Sequence, residues 1–147
     1  MRGNDFVSLV LRSPLHLLMG NTMLITVCGR KTGKPITTPV NYVRAGSALW
    51  VLTSRNRQWW RNIAPGSRVL LHVRGEDLEG TAELVTEPSS VASQLSEYIL
   101  RMPAAGRALG IRMVDGAPHP QDCERIAAER LFVKVRPEGP ASPAALN

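Results

Sequence analysis

The sequence predicts a mainly β domain with helices (β+α): a six-stranded β-barrel whose helices lie outside it. Six short runs rich in Val, Ile, Thr, Tyr and Trp are separated by turn residues, mostly glycine. Helical spacing of apolar residues dominates one insertion before the last run. With 147 residues, 44% of them hydrophobic, the chain suits one core and needs no disulfide or metal staple. Residues 1–136 are therefore expected to form one domain and the Pro/Ala/Gly-rich residues 137–147 a disordered tail.

Taken in chain order, Asn4 and Asp5 are placed to cap a short helix toward Arg12, ended by Pro14 and Gly20. Two hairpins follow: strand 22–28 turns through Gly29 to Lys34 into strand 36–44, which turns through Ala45 to Ser47 into strand 48–53. A short helix at 59–64 bridges to strand 68–74. Strand 80–86 comes next, with Glu76, Asp77 and Glu79 reading as a solvated hairpin turn between the two. The helical insertion, about 88–129, opens with Pro88 in its first turn. It carries Val91, Leu95, Ile99 and Met102 at three- and four-residue steps as far as Pro103. A second helix, 120–129, starts with Pro120 and sets Asp122 and Glu124 near the positive end of its dipole. Strand 130–136 closes the barrel, with Leu131, Val133 and Val135 alternating against Phe132, Lys134 and Arg136.

The net charge of +6 conceals an asymmetry. Residues 1–75 carry 11 Lys/Arg against one acid, Asp5, whereas residues 76–147 carry 7 against 11. Between Phe6 and Gly75 there is no carboxylate, so those cations lack partners near in sequence and an anionic ligand is implied. A nucleic acid is the weaker candidate, because the chain has no zinc-finger spacing, no RNP-like motif and only seven aromatic residues for stacking. The apolar stretch from Phe6 to Met19 is interrupted by Arg12, Pro14 and His16 and is shorter than a membrane span, so a cytoplasmic protein is expected. Cys28 and Cys123 fit neither a disulfide framework nor a metal cluster, and no metal site is predicted.

Two segments concentrate chemistry. The turn Gly29-Arg30-Lys31-Thr32-Gly33-Lys34-Pro35 brings three cations, a hydroxyl and two glycines together: either a phosphate cradle or a basic solvent-exposed tip. It is not a Walker A loop, since Pro35 stands where a magnesium-binding hydroxyl belongs. The segment Ser54-Arg55-Asn56-Arg57-Gln58-Trp59-Trp60-Arg61-Asn62 offers cations, amides and two indoles, which suits a planar heterocycle with an anionic tail. The alternative is that one Trp merely anchors the bridging helix. His16, His72 and His119 form no H-E-x-x-H pattern and no Ser lies in G-x-S-x-G, so if the protein is an enzyme a cofactor carries the reaction.

These residues resemble a known family. Gly29-Arg30-Lys31-Thr32-Gly33, then Thr38-Pro39-Val40-Asn41-Tyr42, then Ser54, then Trp59-Trp60-Arg61-Asn62-Ile63 are similar in order and spacing to the deazaflavin-dependent nitroreductases. The resemblance implies a split β-barrel of the flavin-binding, pyridoxamine-phosphate-oxidase-like type, with coenzyme F420 as cofactor and FMN as the alternative. Carried over by residue, Arg30, Lys31 and Thr32 would hold the phosphate or acidic tail and Pro39 and Val40 would lie beside the ring. Ser54 and Arg55 would sit near the ring or its linker, with Trp59 and Asn62 closing that side. Asn56-Arg57 replaces the Gly-Gly common in the family, and Ile36 replaces an Arg after the hairpin Pro. The implied reaction is hydride transfer to a small acceptor, a quinone, nitro compound or activated alkene, with Ser54 the candidate proton donor. A homodimer is implied by analogy. A non-catalytic flavin or haem carrier and a nucleic-acid-binding barrel are the readings from other classes.

Overall fold

A computed structural model of the chain describes residues 21–141. The helix expected from Asn4 toward Arg12 and the stretch Phe6 to Met19 lie outside the described residues. The strands are β1 (Thr22–Cys28), β2 (Pro35–Asn41), β3 (Val43–Ala45), β4 (Ala48–Ser54), β5 (Ser67–Val73) and β6 (Glu76–Val85). A 3-10 turn, Trp59–Asn62, lies between β4 and β5. Then come helices α1 (Pro88–Arg101) and α2 (Pro103–Leu109), a small hairpin of β7 (Met113–Val114) and β8 (Ala117–Pro118), helix α3 (Pro120–Glu129) and strand β9 (Arg130–Pro140).

Seven strands form one antiparallel sheet in the order β2-β1-β5-β6-β9-β4-β3. The sheet has seven strands where six were expected, because one expected strand is divided in two. The run 36–44 is one strand bent at Tyr42: its first part pairs with β1 and its last part with β4, at opposite edges of the sheet. Consecutive residues thus occupy both edges, so the sheet must curl until the edges meet. The result is a split barrel with helices outside it.

Period-two alternation fills the inside. Met23, Ile25 and Val27 of β1, Val69, Leu71 and Val73 of β5, Leu49 and Val51 of β4, and Leu131, Val133 and Val135 of β9 are all buried. The opposite face of β4 and β9 is apolar too. Phe132 makes edge contacts with Trp50 at 6.1 Å and with Tyr98 of α1 at 5.3 Å, which is how α1 is seated on the sheet. Val91, Leu95 and Ile99 supply the rest of the buried stripe of α1. Met102 and Pro103 break the helix, and Pro103 serves as the first residue of α2.

Asp122 does more than face the dipole of α3. Its carboxylate accepts from the Arg112 backbone N–H at 2.9 Å and from the Arg112 guanidinium at 2.9 and 3.2 Å, tying the β7–β8 segment to α3. Those donors hold its carboxyl well below the usual carboxylate range despite burial. Two further boundaries differ from expectation. The hairpin between β5 and β6 turns at Arg74 and Gly75, both at positive φ, so Glu76, Asp77 and Glu79 are the start of a strand rather than the turn. β9 runs to Pro140, so residues 137–140 are strand and not tail: they pair with Leu78, Glu79 and Gly80 of β6.

That extension depends on Gly80, where the β6–β9 register shifts by a bulge. A Cβ there would lie 2.6 Å from the Arg136 carbonyl oxygen. Gly80→Ala is expected to destabilise the protein by about 1–3 kcal/mol, read by urea denaturation, because the obstructing atom is backbone and cannot swing aside. An unchanged midpoint would show that β9 does not need this close approach.

Candidate active site

The bend at Tyr42 that closes the barrel also opens a cleft. β3 pairs with β4 in a register that sets Val43 opposite Trp50. Continued backward, that register would place Asn41 opposite Leu52 and Pro39 opposite Ser54, but β2 pairs with β1 instead. Pro39 has no N–H to offer a second neighbour, which fits a strand left as an edge. Between the parted strands lies a cleft of about 110 Å³. Pro39, Val40 and Asn41 form one wall and Leu52, Thr53 and Ser54 the other.

The remaining lining comes from further along the chain. Arg57 and Trp59 stand on the loop after β4, Tyr98 and Leu109 reach over from α1 and α2, and Arg130 enters from the first residue of β9. The Trp59 indole, 6% exposed, donates to Thr53 Oγ1 at 3.2 Å, and the Trp60 indole donates to the Ser54 carbonyl at 3.1 Å. Trp59 thus both anchors the 3-10 turn and walls the cleft. Ser54 Oγ donates to Asn56 Oδ1 at 2.7 Å, so the hydroxyl is held with its lone pairs available.

The basic turn is a separate structure bound to the same loop. Its backbone is closed by Gly29 N–H to the Lys34 carbonyl at 2.8 Å and Gly33 N–H to the Gly29 carbonyl at 2.7 Å, with Gly33 at φ +73°. A Cβ on Gly29 would meet the Lys34 carbonyl oxygen at 3.0 Å and Thr32 Oγ1 at 3.1 Å, so the turn is as tight as a glycine allows. The Arg30 N–H donates to Asn62 Oδ1 at 2.9 Å, and Asn62 Nδ2 donates to the Trp59 carbonyl at 3.0 Å. Asn62 is therefore the link between the cationic turn and the cleft wall. Thr32 Oγ1 accepts from the Lys34 N–H at 3.2 Å and keeps its own proton to donate.

Pro39, Val40, Ser54 and Trp59 line the cleft, Asn62 backs it, and Arg30, Lys31 and Thr32 sit on the tethered turn. Arg55 is used otherwise. Its guanidinium donates to the Thr86 carbonyl at 2.8 Å and the Ala127 carbonyl at 2.9 Å, clamping the loop to the ends of β6 and α3. Of the arginines on this loop, the one that lines the cleft is Arg57.

Tyr98 and Arg130 were not legible as site residues in the sequence. Tyr98 is 1% exposed, and burial pushes its phenol up to about 12, with Arg130 pulling the other way. A tyrosine three residues after Leu95 on the buried stripe of an amphipathic helix was the available signal, since a phenol in such a stripe needs somewhere to put its hydroxyl. Arg130 carries no such signal. Among the described residues no group of His, Cys, Asp and Glu side chains could hold a metal, and no helix is long and apolar enough to cross a membrane.

Known proteins resemble this chain in sequence and in fold. The model of the F420H(2)-dependent quinone reductase family matches residues 12–105. Among solved structures, a protein of unknown function from Agrobacterium tumefaciens superposes with a TM-score of 0.52 at 20% identity. That match covers 88% of this chain and 56% of the other, so the chain spans little more than half of that relative. A conserved hypothetical protein of Mycobacterium tuberculosis superposes with a TM-score of 0.50 at 19% identity, covering 95% of this chain and 85% of the other. These two share the fold. A structure described as an F420 reductase has a TM-score of 0.47 at 18% identity, covering 86% of this chain and 95% of the other.

The Asn62 link can be tested directly. Asn62→Ala should free the Arg30 amide, raising its hydrogen-exchange rate, at a cost of about 0.5–1.5 kcal/mol in global stability. Unchanged protection at Arg30 would mean that the turn holds its place without the cleft wall.

Proposed function

The chain belongs to the F420H(2)-dependent quinone reductase family, and on that premise we propose that it is an oxidoreductase passing a hydride from reduced coenzyme F420 to a small organic acceptor. A quinone, a nitro compound or an activated alkene would each serve, and FMN is the alternative cofactor. One observation carries the reading: a carboxylate-free cationic turn is tethered through Asn62 to the wall of a cleft large enough for part of a planar ring.

The donor set suits an anionic tail. Arg30, Lys31 and Lys34 are exposed on the turn with no ion pair to any described residue, and the Lys31 and Thr32 N–H groups have no intramolecular acceptor. Thr32 adds a hydroxyl proton. Lys31, Arg30 and Thr32 would grip the phosphate or carboxylates, while Pro39 and Val40 present an apolar, donor-poor edge to the ring. The reduced deazaflavin, when bound, supplies the hydride. Trp59 and Leu109 keep the cleft apolar and exclude water from around the acceptor. Ser54 is the hydroxyl assigned to proton delivery at the acceptor, a role that requires its Oγ–H to turn from Asn56 Oδ1 toward the cleft.

Fluorescence titration with F420 and with FMN tests the assignment. Lys31→Ala should weaken cofactor binding roughly tenfold to a hundredfold, as expected for loss of a charge-assisted hydrogen bond, and leave the melting temperature of the cofactor-free protein nearly unchanged. If neither cofactor binds below millimolar while a short DNA duplex does, the oxidoreductase reading fails.

Ser54→Ala separates chemistry from binding. It should lower kcat by roughly a hundredfold and leave F420 affinity intact. An undiminished kcat would assign the proton to solvent.

A further inference from the structure

Only two arginines of the described chain are half-buried, Arg55 and Arg130; the others are exposed. Their situations differ. Arg55 is satisfied by the Thr86 and Ala127 carbonyls, whereas Arg130 makes neither an ion pair nor a side-chain hydrogen bond to any described residue. Arg130 opens into the cleft, so its guanidinium donors are uncommitted within the described residues and face the space a ligand would enter. Tyr98 is in the same position: its side chain lines that cleft, is buried, and has no hydrogen-bond partner among the described residues. Arg57 lines the cleft as well, and no carboxylate does.

We infer that Arg130 and Tyr98 form a subsite for a carboxylate carried by the acceptor, so that the preferred substrate is an anionic quinone or enone rather than a neutral one. This rests on the oxidoreductase reading of the cleft. A carboxylate offers two acceptor oxygens, one guanidinium can meet both, and a neutral phenol adds a further donor. The phenol is protonated at neutral pH as any ordinary tyrosine is, and burial pushes its titration further up, to about 12. The cofactor's own anions have another place to go. The cationic turn joins β1 to β2, whereas Arg130 opens β9 and Tyr98 lies on α1, and the sheet order sets β5 and β6 between β1 and β9. Arg130 pairs with Ser54 across β4 and β9 and lines the cleft, whereas Arg30, Lys31 and Lys34 do not, so the acceptor's carboxylate and the cofactor's tail meet different cations.

The test uses a matched pair of acceptors, 1,4-naphthoquinone-2-carboxylate and its uncharged 2-carboxamide, reduced with F420H2. It also uses cofactor-free binding of naphthalene-2-carboxylate and naphthalene-2-carboxamide, read by tryptophan quenching. The full-length protein should favour the carboxylate at least tenfold in kcat/KM and bind naphthalene-2-carboxylate the more tightly. Arg130→Gln should raise KM for the carboxylate at least tenfold more than for the carboxamide, Tyr98→Phe should act in the same direction but less, and Arg130→Lys should restore part of the preference. Equal treatment of the two acceptors by the unmodified protein would overturn the inference. So would an Arg130→Gln protein that binds F420 more weakly yet keeps its acceptor preference, which would hand Arg130 to the cofactor. If neither quinone is reduced but Arg130→Gln still abolishes the preference for naphthalene-2-carboxylate, the anion subsite stands and the oxidoreductase reading falls.

Discussion

The structure turns on Tyr42, where one strand leaves one edge of the sheet and arrives at the other. The Tyr42 N–H donates to the Asn21 carbonyl at 3.1 Å, so the bend is held against the start of β1, and its side chain is buried in the core. Two consequences follow from this one geometric fact. The sheet must curl, because residues 41 and 43 belong to its opposite ends. It also cannot seal, because a strand that has turned toward β1 no longer offers its hydrogen-bonding edge to β4. Closure and cleft are the same event, and a proline at position 39 keeps the open side from zipping shut.

What surrounds the cleft is arranged by how the two halves of the chain meet. The first half contributes strand edges, the cationic turn and the indole-bearing loop; the second contributes α1, α2 and β9, which roof it. Arg55 fastens the halves together by bonding to carbonyls at the ends of β6 and α3. The Asp122–Arg112 pairing braces the insertion at its far end. Both are cases in which a charged side chain serves position rather than lining the cleft.

Charge is likewise partitioned by neighbourhood. Arg68 pairs with Glu79 and Glu138, and Arg101 with Glu97, on solvent-facing surfaces where such pairs contribute little to stability. The cations of the Gly29–Lys34 turn and of the cleft have no carboxylate partner among the described residues. Of the first half's cations, Arg30, Lys31 and Lys34 on the turn and Arg57 in the cleft are thus left without a counter-ion among the described residues.

Much of this was already in the sequence. The β-branched and aromatic content of 22–28 and 48–53 and the alternation in 130–136 mark strands because such residues suit a pleated, packed surface, and Pro88, Pro103 and Pro120 bracket helices through the missing N–H and fixed φ. The basic turn and the Trp59–Asn62 segment were legible because tight turns and clustered cations are local properties, and their resemblance to a deazaflavin family agrees with the family that matches. Tertiary structure decided the rest. Nothing in the run 36–44 says that it serves two sheet edges, since the bend is imposed by partners far off in sequence. Residues 137–140 read as tail by composition, yet β6 provides them a pairing edge. Arg55 and Arg57 are indistinguishable in a string of letters; only the carbonyls of Thr86 and Ala127, brought near by folding, take one and leave the other to the cleft. Arg130 and Tyr98 become neighbours of Ser54 for the same reason: which donors face a common space depends on long-range pairing, and sequence spacing carries no record of it.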